Sequence, residues 1–412
     1  MDENLMTVYN IFTSIETKTN HEYIIYEMEL YKMDDKGNKI YALESTGKQP
    51  LQADMKTLIH PSLDISDSED TSYILELNLY HKLGNDEYEV LPEPMTAIIP
   101  LKGFLTSDKK WGLSREFQYN ETTEKTQYGD VPIYEVKITF KSRSFEAKEH
   151  PAGDPQDPFT KAKIERALQL RLAKYDFPDQ GDASLCGPAA FFYCLLMDRP
   201  DLYKQIVKEL WESGKTKIGT LKIKPGYNCR HPTNFFTNDS RGYIPKVPCI
   251  DWITLASLRD SENSVFDYDS PDDQFSGITT AEDLKTWFEK SGAKILYSIN
   301  TSLIDQIRGP HLTLQDLCRL NSYISPETHV VVLIAAKMIS NQGILTTKDH
   351  WVVWTDKLKL LDGQEITEQT AITEKIKLEL FSWGTVKKWW DSKSLGEVMQ
   401  NSFAAMVVSK IP

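Results

Sequence analysis

The chain is predicted to be α+β, with an all-β, sandwich-like N-terminal domain ahead of a domain that has a helical half and a β half. Three observations predict this. Apolar residues recur at every second position through much of residues 1–145, the period of strands with one wet face. After a proline-rich stretch the period becomes helical: Ile164, Ala167, Leu168, Leu172 and Tyr175 fall on one face. Strand-like runs return in the last third, so helices come first and strands second, as in an α+β domain.

In the first region, Tyr73, Leu75, Leu77 and Leu79 alternate with Glu76 and Asn78. Tyr134, Val136, Ile138 and Phe140 alternate with Glu135, Lys137 and Thr139. Glu22 to Tyr31 follows a looser version. Asp34 to Asn38 and Gly84 to Asp86 have the composition of hairpin turns, and Pro100 marks a strand end or an edge. Six to eight strands in a sandwich are expected. The acidic run Asp64 to Asp70 lacks a regular ligand spacing and is expected to be a solvated loop. The stretch 146–160 holds Pro151, Pro155 and Pro158 with glycine and aspartate, the composition of a linker. It divides residues 1–145 from a domain over 161–412.

Within that domain, Pro178 bars the first helix from continuing. An apolar helix follows Cys186. Pro200 is placed as a first helical residue, with the helix ending near Gly214. Helices are expected at Trp252 to Leu258, Ala281 to Lys290 and Thr313 to Leu320. Strands are expected at His329 to Ile334, His350 to Trp354, Ile376 to Phe381 and Ser402 to Val408. The stretches Tyr227 to Val247 and Asp260 to Gly277 look irregular. Lys215 to Lys224 reads as a basic, solvated hairpin.

Composition excludes several functions. The formal net charge of −13 opposes general nucleic-acid binding, which needs basic patches. No apolar run has the length of a membrane-spanning helix. Met1-Asp2-Glu3-Asn4 lacks the character of a secretory signal, so synthesis in a cytoplasm is expected, with export by a route that reads no cleaved signal left open. Five cysteines in 412 residues are too few for a disulfide framework. Cys229-Arg230-His231 with Cys249 fits no common zinc spacing, and no metal or cofactor is expected.

The chemistry centres on Gln180-Gly181-Asp182-Ala183-Ser184-Leu185-Cys186-Gly187-Pro188. A polar, turn-forming run delivers Cys186 to the head of an apolar helix. Unpaired first-turn amides and the positive end of the helix dipole favour thiolate there. A thiol nucleophile needs a base, and histidine titrates in the right range. His350, at the polar start of an apolar strand beside Trp351 and Trp354, is preferred. His329, at the head of another strand, is the rival. Cys194 lies within the apolar helix and is expected to be core.

These motifs resemble the papain-like cysteine hydrolases. That family has a glutamine six residues before its cysteine, as Gln180 stands before Cys186. Its histidine comes late, at the start of a strand, as His350 does. A further strand ends in Asn-Ser-Trp-Gly, where this chain has Phe381-Ser382-Trp383-Gly384. The likeness covers residues 160 to 412 in outline, with identity only in these short motifs. It implies a papain-like fold, with Cys186 as nucleophile, His350 as its partner, Gln180 and the Cys186 N–H as oxyanion donors, and Trp383 as a cover for the histidine. The departure is Phe381, which stands at the asparagine position and accepts no hydrogen bond. Ser382 or Glu379 is then the candidate orienting residue.

The stretches around Leu185 to Ala190, Lys215 to Lys224, Ile250 to Asn263 and Asp349 to Val353 are also similar to bacterial papain-like effectors of the type VI secretion kind. That likeness implies a peptide or peptidoglycan substrate, an immunity protein as partner, and an N-terminal domain that loads onto secretion machinery. Two alternatives stand beside it: a binding or scaffold protein with a degenerate site, and an acyltransferase or deamidase using the same thiol.

Overall fold

A computed structural model describes residues 7–15, 20–89, 93–105, 118–126, 129–137, 143–181, 183–239, 242–262, 270–272, 279–302, 310–339, 350–389 and 393–412. The chain forms two compact units, Met1–Arg143 and Ser144–Pro412. Helices and strands are both well represented, as an α+β chain requires. Among the described residues no helix is long and apolar enough to cross a membrane.

The first unit contains β1 (Asn10–Ile11), β2 (Ile24–Met33), β3 (Lys39–Leu43), β4 (Gln49–Pro50), β5 (His60–Pro61), β6 (Ser72–Leu83), β7 (Asp86–Glu89) and β8 (Met95–Pro100). β2 and β6 pair at the centre of a six-stranded sheet, from Ile24↔His81 to Tyr31↔Ile74. Alternation sends Tyr26, Met28, Leu30, Leu77 and Leu79 to one apolar face. Tyr9 and Ile11 of the β1/β5 ribbon, with Leu51, Ile65 and Leu101, close that face. A sandwich of two full sheets was expected; among the described residues a ribbon and loops do the covering instead. The acidic run is a loop tied down by cations: Lys32 pairs with Asp67 at 2.5 Å, and Lys102 pairs with Asp70. A four-residue helix, α1 (Lys102–Leu105), precedes a hairpin of β9 (Gln118–Thr126) and β10 (Gly129–Lys137). Ile138 and Phe140 of the expected strand lie outside the described residues.

The second unit takes in the stretch expected to be a linker. Phe145 and Phe159 are fully buried, the Glu146 N–H donates to the Arg230 carbonyl, and Trp211 Nε1 donates to the Phe159 carbonyl. Prolines set the turns of this stretch, but its aromatic residues root it in the core. The helical half comprises α2 (Lys161–Leu172), α3 (Cys186–Asp198), α4 (Pro200–Ser213), α5 (Tyr227–Arg230), α6 (Cys249–Asp251), α7 (Ser257–Glu262) and α8 (Ala281–Lys290). A π-helical segment, Trp252–Ala256, joins α6 to α7. Lys215 to Lys224 folds as the hairpin β11 (Thr216–Ile218) and β12 (Leu221–Ile223), with Ile218, Leu221 and Ile223 buried beneath it. A second hairpin is β13 (Phe236–Asp239) and β14 (Gly242–Pro245).

The β half comprises β15 (Ile295–Ile299), α9 (Leu314–Tyr323), β16 (Thr328–Ile334), β17 (His350–Trp354), β18 (Lys359–Leu360), β19 (Ile376–Ser382), β20 (Thr385–Trp389), α10 (Leu395–Gln400) and β21 (Ser402–Ser409). Its antiparallel sheet has the order β15-β21-β16-β17-β19-β18, with β20 also on β19. β21, expected as a closing strand, lies inside the sheet between β15 and β16. Val330, Val332, Val352, Trp354, Leu378 and Leu380 pack with Leu317 and Leu320 of α9 and with Leu395 and Val398 of α10. The other face receives α3, whose residues Cys186 to Leu196 are all buried.

One buried ion pair holds the approach to α3. Arg171, at the end of α2, bonds Asp251 of α6, and Arg171 also lies 2.9 Å from Asp176. Asp251 has no solvent exposure. Burial raises the Asp251 pKa, and the Arg171 guanidinium pulls it back down. Removing one partner of such a pair strands a charge in the core. Asp251→Ala is expected to cost about 3–5 kcal/mol in urea unfolding. A loss below about 1 kcal/mol would show the pair to be dispensable.

Candidate active site

Cys186 is the first residue of α3, after Leu185, whose side chain makes no cap. Pro188 is third in the helix, where a missing N–H costs nothing. Gly187 is required by a close approach. A Cβ on it would lie 2.4–2.5 Å from three side-chain atoms of Thr279. The Thr279 carbonyl in turn accepts from Trp351 Nε1 at 3.0 Å. Thr279 therefore touches the neighbour of Cys186 and the neighbour of His350, and so sets the head of α3 at the head of β17.

The loop before α3 is shaped by Gly181. Its φ of 57° is left-handed, and a Cβ there would meet the Lys246 carbonyl oxygen at 2.0 Å. Its N–H donates to Asp179 Oδ1 at 3.0 Å, and the Ala183 N–H donates to the Gln180 carbonyl at 3.1 Å. The Gln180 side chain is half-buried. The Phe177 N–H donates to the Gly384 carbonyl at 3.2 Å, which brings the Ser-Trp-Gly turn against this loop.

His350 is buried at the start of β17. Its Nε2 shares a 2.7 Å hydrogen bond with Ser382 Oγ. The Trp383 ring stacks on the imidazole, with centroids 4.2 Å apart and planes 16° apart. Burial lowers the His350 pKa to about 3, so the imidazole is neutral at ordinary pH. Of the two candidate orienting residues, Ser382 reaches the histidine. Glu379 accepts instead from Thr355 Oγ1 at 3.1 Å. Phe381 turns to the other face of β19 and stacks on Tyr193 of α3 at 4.1 Å and 10°.

The rival histidine sits at the far end of α3. His329 Nε2 donates to Asp198 at 2.8 and 2.9 Å, and the Ile411 N–H donates to the same carboxylate at 2.9 Å. Cys194 lies beside this ring. Burial raises the Cys194 pKa although His329 pulls it down. On His329 burial opposes the charge, but Cys194 and Asp198 hold the pKa up. Cys194 has no solvent exposure. The cluster is a clasp on the C-terminus of α3, with its thiol fully enclosed.

The sequence singles out Cys186, Gln180, His350, Trp383 and either Ser382 or Glu379, of which Ser382 and Trp383 contact His350; it gives no sign of Thr279, which carries no motif and stands 72 positions from Trp351. It also gives no sign of Asp198 as the partner of His329, 131 positions away. Among the described residues no cluster of His, Cys, Asp and Glu is gathered for a metal ion. No protein-family model matches the chain, and comparison with curated proteins and with solved structures returns no match.

Two outcomes follow from this packing. Phe381→Asn removes the ring stacked on Tyr193 and buries an amide, so thermal unfolding is expected to show a loss of about 3 kcal/mol or more; an unchanged melting temperature would contradict the packing role. The folded-state pKa of His350 lies below its unfolded value near 6.5. Below pH 6.5 the unfolded chain therefore holds a proton that the folded chain lacks, and stability falls from there toward about pH 3. His350→Gln is expected to have a shallower stability–pH slope than wild type over this window. Parallel slopes would show that His350 is not buried neutral.

Proposed function

We propose that the second unit is a cysteine hydrolase that cleaves an amide bond, in a protein or in a peptidoglycan peptide, with a papain-like division of labour. The observation that carries this reading is the grip on His350. Its Nε2 is engaged by Ser382 and its ring is covered by Trp383, on the strand against which α3 packs. Nε2 is thus committed, and Nδ1 is the nitrogen left for a thiol. Neutral imidazole is the form that accepts a proton.

In the proposed reaction Cys186 attacks the carbonyl carbon while its proton passes to His350. His350 then returns the proton to the departing amine, leaving a thioester. Water, deprotonated by the same imidazole, releases the acid. Gln180 and the first-turn amide of Cys186 donate to the oxyanion, at the positive end of the α3 dipole. Ser382 holds the ring as a positioning residue. The sequence likeness to type VI effectors supports a role against other bacteria, with an immunity protein as the natural antagonist.

Cys186→Ala is expected to abolish hydrolysis of casein and of purified peptidoglycan, and His350→Ala to lower it by about 10³-fold. Ser382→Ala is expected to lower kcat by about 10-fold with KM held, since it removes an orienting bond and no reacting group. Full activity in both Cys186→Ala and His350→Ala would overturn the proposal, as would the absence of labelling at Cys186 by a thiol-directed electrophile.

A further inference from the structure

Two hydrogen-bond donors at the first turn of α3, one within it and one packed against it, have no acceptor among the described residues. Pro188 has no N–H, and the first intrahelical bond runs from the Ala189 N–H to the Leu185 carbonyl. The Gly187 N–H, ahead of that bond, has no acceptor among the described residues. The second donor is the hydroxyl of Thr279. This residue is only 7% exposed, and its Oγ1 has no hydrogen-bond partner. Buried hydroxyls are nearly always paired, so an unpaired one asks for an explanation.

Its placement supplies one. Thr279 Oγ1 lies 2.5 Å from the point where a Gly187 Cβ would stand. A helical Cα–Cβ bond tilts toward the helix N-terminus. The Thr279 side chain therefore packs on Gly187, the residue after Cys186, in the first turn of α3 at the positive end of the dipole. The Thr279 carbonyl is fixed by the indole of Trp351, which adjoins His350. The residue is held between the neighbours of the proposed nucleophile and the proposed base, with its buried hydroxyl unpaired beside the first turn of α3.

We infer that Thr279 is a further catalytic residue of this site: its hydroxyl donates to the substrate carbonyl oxygen as that oxygen becomes negative. The inference rests on the hydrolase reading above. The Cys186 sulfur attacks the carbonyl carbon and forms a C–S bond. The C=O π pair moves to oxygen, and the thiol proton passes to His350. Collapse re-forms C=O and expels the leaving group with its electron pair. The Thr279 O–H stays intact and accompanies the oxygen through its charged state, alongside the Gln180 amide. A hydroxyl with no acceptor in the resting protein gains one only as substrate arrives, which is the differential binding that catalysis requires.

Two reactions of the same thiol separate this role from a structural one. Iodoacetamide alkylates Cys186 by displacing iodide and forms no oxyanion. Acylation by p-nitrophenyl acetate passes through an oxyanion and releases p-nitrophenolate. Both are measured on the full chain for wild type, Thr279→Val, Thr279→Ser and Cys186→Ala. Thr279→Val is expected to slow the nitrophenolate burst by about 100-fold, to leave the rate and pH profile of alkylation unchanged, and Thr279→Ser to keep near-wild-type rates in both. Thr279→Ala repeats the loss of the hydroxyl without the second methyl, should valine disturb the tight contact with Gly187. A Thr279→Val burst at the wild-type rate overturns this inference alone, and so does an equal fall in alkylation and acylation. No burst and no alkylation at Cys186 in wild type, with Cys186→Ala indistinguishable, overturns the hydrolase reading and this inference with it.

Discussion

A helix buried on every side must have its polar ends satisfied by other parts of the chain, and α3 sets that condition for the second unit. Its sequence from Cys186 to Leu196 is nearly free of charge, and every residue is buried. Such a helix has no wet face on which to lean. At the C-terminal end Asp198 takes three hydrogen bonds, from His329 and from the Ile411 N–H. At the N-terminal end the donors exceed the acceptors. The fold answers the first end with a clasp, and at the second the Gly187 N–H has no acceptor among the described residues.

The sheet assigns the two histidines to these ends. β16 and β17 pair antiparallel, with Ile334 opposite His350 and Val330 opposite Trp354. His329 therefore lies at one end of the strand pair and His350 at the other. Along α3, Cys186 to Asp198 spans about 18 Å at 1.5 Å per residue, close to the length of the strands it covers. The same aromatic contacts set the register across the interface: Phe381 on Tyr193, and Trp351 through Thr279 on Gly187. The thiol near the C-terminal end, Cys194, lies beside the imidazole of His329, while Cys186 stands at the first residue of the helix. Cys194 is enclosed.

Much of this arrangement was legible in the residues. Pro200 and Gly214 do bound α4, and Gly214 takes the left-handed conformation expected of a helix cap. The alternation at Tyr73 to Leu79 does send Tyr73, Leu77 and Leu79 to the core face of β6, with Glu76 and Asn78 half-buried on the other face beside the buried Ile74 and Tyr80. What reads well is local, because periodicity and turn chemistry act within a few residues. What did not read is long-range. The proline-rich stretch looked like a linker because its anchors, Phe145 and Phe159, find partners only in three dimensions. The sandwich was over-read because alternation counts strands and does not say how many sheets they form. Ser382 and Glu379 stayed equal candidates until the pairing of β17 with β19 was known. Asp198 and Thr279 gave no signal, since each acts on a residue far along the chain.

The division of roles between Phe381 and Ser382 bears on how charge is handled around His350. Phe381 contributes a stacked aromatic pair to the seat of α3, and the polar duty moves to Ser382, in phase with Leu378 and Leu380 on the opposite face of β19. The imidazole it holds is buried, and burial alone keeps its pKa near 3. A base that weak is far from the match with ambient pH that favours proton transfer. A standing thiolate–imidazolium pair would need an opposing charge to lift it. On the hydrolase reading, proton transfer to His350 is then favourable only as charge leaves the sulfur for the substrate oxygen. On that reading the stabilising groups must be aimed at that oxygen, and the Thr279 hydroxyl and the Gly187 N–H are donors left without an acceptor among the described residues at this end of α3.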